Sequence, residues 1–290
     1  FRRVLFRSTG DESGLKTVTN TNLAAPYLPR AVARRRRGQE LMERMEDWQR
    51  GTAPAGVRFL TAAIDVQASK FMVHVMGWGV ELESWLVDRF AITTVRRTEG
   101  DHPSVIDPAG FIEDWRELVA QVVHRTYPVE GFDHALPIML SVCDSGGKAG
   151  VTERAYEFWR LARDRGLGRR IVLIKGASGP NAARVQQTWP DNRGRADRGA
   201  GAVGDVPVWM LNTNILKDGV AADLKRDKVG PGYHHIPSWI GSEYFDEITA
   251  EQRDAKGWKN PRQLRNEAFD LHAYNRAAAI LLQEIGRAHV

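Results

Sequence analysis

The chain has 290 residues, 42% hydrophobic and 27% charged, enough for one large or two small domains with a sizeable core, and not the composition of a disordered or collagen-like chain. Its single cysteine, Cys143, excludes an internal disulfide and a Cys-rich zinc site and fits a reducing compartment, and no apolar run of about 18 residues could span a membrane. The formal charge of +5, from 41 basic and 36 acidic residues, suggests a polyanion partner, but the two ends distort it. Residues 1–8 (FRRVLFRS) are the codon-for-codon translation of a common sequencing adapter. Residues 284–290 (EIGRAHV) are the translation of its reverse complement up to a stop codon. Both ends are therefore expected to be foreign, with an N-terminally longer natural protein behind residues 9–283. Without Arg2, Arg3, Arg7 and Arg287 the formal charge falls from +5 to +1, so only local patches argue for nucleic acid.

Residues 9–55 are polar and irregular, with the four-Arg run 34–37 leading into a helix-like stretch at 38–48, and read as a linker or the tail of a preceding domain. The main domain, expected over 56–283, opens with three strand-like runs at 59–66 (FLTAAIDV), 71–80 and 83–92. A helical spacing follows over 111–124. Next come a buried strand at 137–143 (PIMLSVC), a helix over 152–163 with Thr152 as N-cap, and a strand at 170–175. The Gly-, Arg- and Asp-rich stretch 181–206 has no apolar period and reads as a loop. A strand at 207–211, a helix over 214–226, a short extended piece within 229–239 and a helix over 242–251 precede a last helix from about 262 to 282. The order predicts an α/β fold: a mixed sheet with an antiparallel three-strand start and helices on both faces, which is the element order of a ribonuclease-H-like fold.

Acids fall where such a sheet would gather them. Asp65 lies near the end of the first strand, Asp144 directly follows PIMLSVC, and Glu267 and Asp270 share one helix face. If the two strands are neighbours, Asp65 and Asp144 converge in the crevice beyond the strand ends. Phosphodiester cleavage needs an activated water and a stabilised leaving oxygen, which two hard cations about 4 Å apart provide. Mg²⁺ and Mn²⁺ take oxygen ligands, and clustered carboxylates repel one another without them. Asp65 and Asp144 each also read as a turn residue or a helix N-cap, and Glu267 and Asp270 as ion-pair partners of Arg265, Arg276 or His272.

At this point the chain resembles a known family: the C-terminal nuclease part of the large terminase subunit of tailed bacteriophages, of the lambda-like GpA type. The matching pieces include Leu60-Thr61-Ala62-Ala63-Ile64-Asp65-Val66-Gln67, Gly77-Trp78-Gly79, and Asp144-Ser145-Gly146-Gly147 with Thr152 and Tyr156. Lys217-Asp218, Pro231-Gly232-Tyr233-His234, Glu243-Tyr244-Phe245, and Arg265-Asn266-Glu267-Ala268-Phe269-Asp270 with Tyr274 follow in order. The resemblance implies a metal-dependent endonuclease holding two Mg²⁺ or Mn²⁺ ions. It would cut concatemeric viral DNA during packaging, in the cytoplasm of an infected bacterium. Double-stranded DNA, a terminase small subunit and a portal would be its partners. It also implies an ATPase in the longer protein. No GxxxxGK[ST] loop occurs in this chain. The family's metal-binding and catalytic acids map onto Asp65, Asp144 and the 266–270 segment, where Glu267 and Asp270 both stay open. Phe269 stands where Leu is usual.

Lys175 and Lys217 could each touch a DNA phosphate, steady the acids, or simply be solvated. Arg193 and Arg195, with Arg184 and Arg198, form a candidate backbone-contact patch. His74 and the periodic tryptophans read as core. The adjacent His234 and His235 should point to opposite sides. Two other readings stay open on the residues: another ribonuclease-H-like enzyme such as a resolvase or transposase, and a non-catalytic DNA- or portal-binding domain.

Overall fold

The computed structural model describes residues 37–97, 102–147, 149–179, 181–193 and 202–287, with side chains to 283. The chain forms two compact units, Phe1–Arg44 and Met45–Val290. In the first, residues 37–42 are helical. The helix expected over 38–48 stops there, because Met45–Glu46 is instead a strand of the second unit. The calls on residues 1–36, Arg195, Arg198 and 288–290 lie outside the described residues.

The second unit is built on a sheet whose strands are β1 (Met45–Glu46), β2 (Phe59–Gln67), β3 (Lys70–Trp78), β4 (Ser84–Ile92), β7 (Thr126–Pro128), β8 (Ala135–Asp144), β9 (Ile171–Gly176), β10 (Val185–Thr188), β11 (Val208–Leu211) and β12 (His234–Pro237). Short strand pairs β5 (Thr94–Val95) with β6 (Ser104–Val105), and β13 (Gln252–Asp254) with β14 (Gly257–Lys259), stand apart. The helices are α1 (Val151–Asp164), α2 (Thr213–Leu224), α3 (Ser242–Ile248) and α4 (Glu267–Arg287). Residues 112–123 form a further helical segment.

The sheet order is β1-β12-β4-β3-β2-β8-β9-β11-β10, with β7 joining β8. The centre, β4-β3-β2-β8-β9, has three consecutive antiparallel strands followed by strands parallel to the first. This is the ribonuclease-H-like arrangement expected, and it follows from chain economy: neighbours in sequence pair as hairpins, and crossovers through helices yield parallel strands. β2 reads as a continuous apolar run because both of its faces are covered. Leu60, Ala62 and Ile64 point into one core layer with Phe71, Val73, Trp115, Phe158 and Trp159. Phe71, Trp115 and Phe158 meet there at ring distances of 5.2 and 5.5 Å. Thr61, Ala63 and Asp65 alternate to the other face. There Thr61 donates to Asn275 Oδ1 of α4 at 2.8 Å, and Asn275 donates to the His74 carbonyl. α1 and the 112–123 segment thus cover one face and α4 the other.

Several local expectations are corrected. Gly150, not Thr152, caps α1; the Thr152 hydroxyl donates to the Ser145 carbonyl. The polar stretch 181–206 contributes β10, antiparallel to β11 at the sheet edge. α3 ends at Ile248 rather than at 251, the β13–β14 hairpin fills a stretch for which no element was expected, and α4 begins at Glu267 rather than near 262. Met45–Ala55 are tied to the domain: β1 runs parallel to β12, and the Ala53 amide donates to the Pro128 carbonyl.

Candidate active site

The registers bring the first two acids together. β2 and β8 run parallel with Ile64 opposite Cys143, so the next residue on each strand is an acid, Asp65 and Asp144. Ile64 and Cys143 are both in the core layer, so the acids project to the opposite face, toward α4. Glu267 is the first residue of α4 and Asp270 lies one turn in, on the side that meets β2 and β8.

Each acid has defined partners. The Gln67 amide donates to Asp65 Oδ2 at 2.8 Å and to Glu267 Oε1 at 3.1 Å, so it sits between the two carboxylates. Gln67 follows Asp65 by two along the strand and therefore shares its face. Asp144 Oδ1 accepts from the Gly146 amide at 2.9 Å, in a turn that continues through Gly147 at φ 102, a conformation natural only to glycine. Asp270 Oδ1 is 2.6 Å from the Lys217 ammonium, and its Oδ2 accepts from Asn266 at 2.8 Å. Both donors also reach Glu251 Oε1, each at 2.6 Å. Arg265 reaches Glu267 and Glu247 from the rim.

Burial raises the carboxyls of Asp65, Asp144 and Asp270 above the usual range, and their neighbours add to it. Asp65 is pushed further by Asp144 and Glu267, Asp144 by Asp270, and Asp270 by Glu251 and Asp65. Burial raises the Tyr274 hydroxyl, and Asp144, Asp270, Asp65 and Glu251 raise it further, so this ring shares their pocket. Burial works the same way on Glu267, but its own backbone amide, Arg265 and Gln67 outweigh it and leave the carboxyl low. The inner acids are thus Asp65, Asp144 and Asp270, with Glu267 at the edge.

Among the described residues, no three His, Cys, Asp or Glu side chains are drawn together closely enough to hold an ion between them. The Gln67 amide and the Lys217 ammonium stand among the carboxylates. The donor chemistry nevertheless fits a hard divalent cation. The cluster offers oxygen donors, it is buried, and its members repel one another. The soft donor Cys143 faces the other side.

Residues 1–288 match the family model of the terminase large subunit gpA endonuclease domain. The chain belongs to this family. It is 35% identical over 290 residues to the terminase large subunit of Escherichia phage lambda, which covers 94% of this chain and 40% of that protein. It is 38% identical over 82 residues to the terminase large subunit of Enterobacteria phage P21, over 28% of this chain and 12% of that protein. The chain therefore spans well under two thirds of the length of these relatives. No solved structure matches it significantly.

In this terminase endonuclease domain the secondary candidates fall as follows. Lys217 is buried rather than solvated, with its ammonium 2.6 Å from carboxylate oxygens of both Glu251 and Asp270. Lys175 is half-buried on the α1 side, 3.4 Å from the Thr152 hydroxyl and over the Tyr156 ring; burial lowers its ammonium and Asp144 partly restores it. Arg193 is exposed and paired with Asp191. His74 is core, and His234 and His235 do face opposite ways, toward Ser84 and toward Glu46 and Glu83. Sequence reasoning missed the roles of Gln67, Glu251 and Asn266. Period-two alternation from Asp65 would have flagged Gln67; no local signal marks Glu251.

Proposed function

We propose that this domain is a metal-dependent endonuclease that cuts concatemeric viral DNA for packaging by hydrolysing phosphodiester bonds. The observation that carries the reading is the adjacency of Asp65 and Asp144 on parallel strands beneath the α4 turn that bears Glu267 and Asp270. Asp65, Asp144 and Asp270 would hold the cations, Mg²⁺ or Mn²⁺, with Glu267 at the outer edge. When bound, two such ions supply an activated water and stabilisation of the leaving 3′ oxygen. The chain's own groups do the rest. Gly146 orients Asp144, Gln67 orients Asp65 and Glu267, and the helix α4 fixes the distance of Asp270 from both strands. Lys175, beside Asp144, and the Arg193 patch would meet the DNA backbone without base choice. Packaging partners, a small subunit and a portal, and a site of action in the cytoplasm of the infected host belong to the same proposal. Family membership displaces the resolvase and transposase readings.

Asp65→Asn tests it. Plasmid nicking in Mn²⁺ should fall by more than the roughly 10–100-fold typical of losing an outer partner of a metal ligand, with the circular dichroism spectrum unchanged. Wild-type nicking by that variant would refute the assignment. Retained DNA binding with no nicking by the wild-type domain would instead favour a binding role.

A further inference from the structure

Lys217 is a cation buried among the acids. It is only 7% exposed, and its ammonium lies 2.6 Å from both Asp270 Oδ1 and Glu251 Oε1. Asn266 closes the same ring from the other side, donating to Asp270 Oδ2 and Glu251 Oε1. Both oxygens of Asp270 are therefore engaged by protein donors, one of them charged. The Lys217 ammonium also lies over the Phe269 ring at 5.2 Å, a favourable cation–π contact. Four elements or segments meet here: α2 supplies Lys217, α4 supplies Phe269 and Asp270, residue 251 follows α3, and Asn266 precedes α4.

A buried ammonium at this spot has two consequences. It cancels charge that would otherwise drive Asp270 and Glu251 apart, so the cluster stays assembled without a divalent ion. It also opposes an incoming dication, since like charges a few ångströms apart repel strongly away from bulk water. We propose that Lys217 is a positioning residue, a resident cation that holds the inner half of the acid cluster together and weakens its grip on a divalent ion. This rests on the reading of the acids as a metal site.

The test uses the whole chain and Mn²⁺ alone, without DNA. Mn²⁺ binding is measured by calorimetry and thermal unfolding is followed with EDTA or with Mn²⁺. Lys217→Gln keeps a hydrogen-bond donor and removes the charge. It should bind Mn²⁺ at least about tenfold more tightly than the wild type. It should also melt lower in EDTA and show a larger upward shift on Mn²⁺ addition. Lys217→Arg, which restores the charge, should recover the wild-type melting point in EDTA. If Lys217→Gln is unfolded in EDTA, recovery of the native dichroism on adding Mn²⁺ supports the proposal, and no recovery overturns it. Wild-type Mn²⁺ affinity and an unchanged Mn²⁺ shift in Lys217→Gln would reduce Lys217 to an ordinary ion pair. No Mn²⁺ binding by the wild type or any variant would instead bring down the metal-site reading itself.

Discussion

Position 61 shows how much one side chain can carry. The Thr61 hydroxyl accepts from the buried Trp78 indole at 2.8 Å and donates to Asn275 of α4 at 2.8 Å, joining β2, β3 and the helix that bears the acids. Thr61→Val keeps the volume and leaves two buried polar groups unpaired. Each such group costs about 1–3 kcal/mol, so the variant should lose roughly 2–6 kcal/mol, read as a lower urea midpoint with an unchanged slope. At this scale the sequence was partly legible. Asp65 and Asp144 announced themselves by ending apolar runs, and Asp270 by its spacing on a helix. Lys217 did so only in part, with steadying the acids one of three open readings, because burial of a lysine depends on partners 34 and 53 positions away in the chain, Glu251 and Asp270.

The elements were legible where their causes are local. β2, β3 and β4 lie within about a residue or two of their expected bounds, since both hairpin pairing and apolar runs are short-range. The start of α4 was not. An apolar period continues back toward 262, but the Asn260 side chain captures both the amide and the carbonyl of Leu264, and Gln263 has φ 50. A side chain that offers the backbone such bonds competes with the helix. Glu247 then receives the Ala268 amide and fixes where the helix begins. α2 starts on an ordinary device. Asn212 accepts from the Ile215 amide and donates to the Ala182 carbonyl. Asn212→Ala should cost about 1 kcal/mol or more, measured as a drop in the thermal midpoint, since it removes the cap and the tie to 182 together.

For the whole molecule, stability should depend on pH through the histidines buried between the sheet and α4. His74 is held well below its usual value by burial, with Arg89 and His234 adding to it. His272 is pushed down to about 3 by burial, with Arg276 and His74 adding to it. Its ring lies 4.4 Å from that of His234. Unfolded, His74 and His272 take up protons below about 6.5; folded, they do not. Their contribution is therefore complete above that pH and is lost as the pH falls, by up to about 1.4 kcal/mol per pH unit for each group. The raised carboxyls of Asp65, Asp144 and Asp270 act in the opposite sense at lower pH. The variant His272→Gln isolates one histidine: the fall in its urea midpoint from pH 7 to pH 5 should be shallower than that of the wild type. An identical fall would place the acid sensitivity elsewhere. At this scale the central sheet order was legible and its edges were not. β1, β12 and β10 join through long-range pairings that leave no periodic trace in a short segment.

The alignment of β2 with β8 carries an obligation beyond chemistry. Side chains alternate across a strand, so sliding either one by a single position would swing its carboxylate into the layer occupied by Phe71 and Trp115. An ionised group has no partner there, and mispaired intermediates would be penalised as they form. The same two aspartates would thus act as proofreaders of the folding chain.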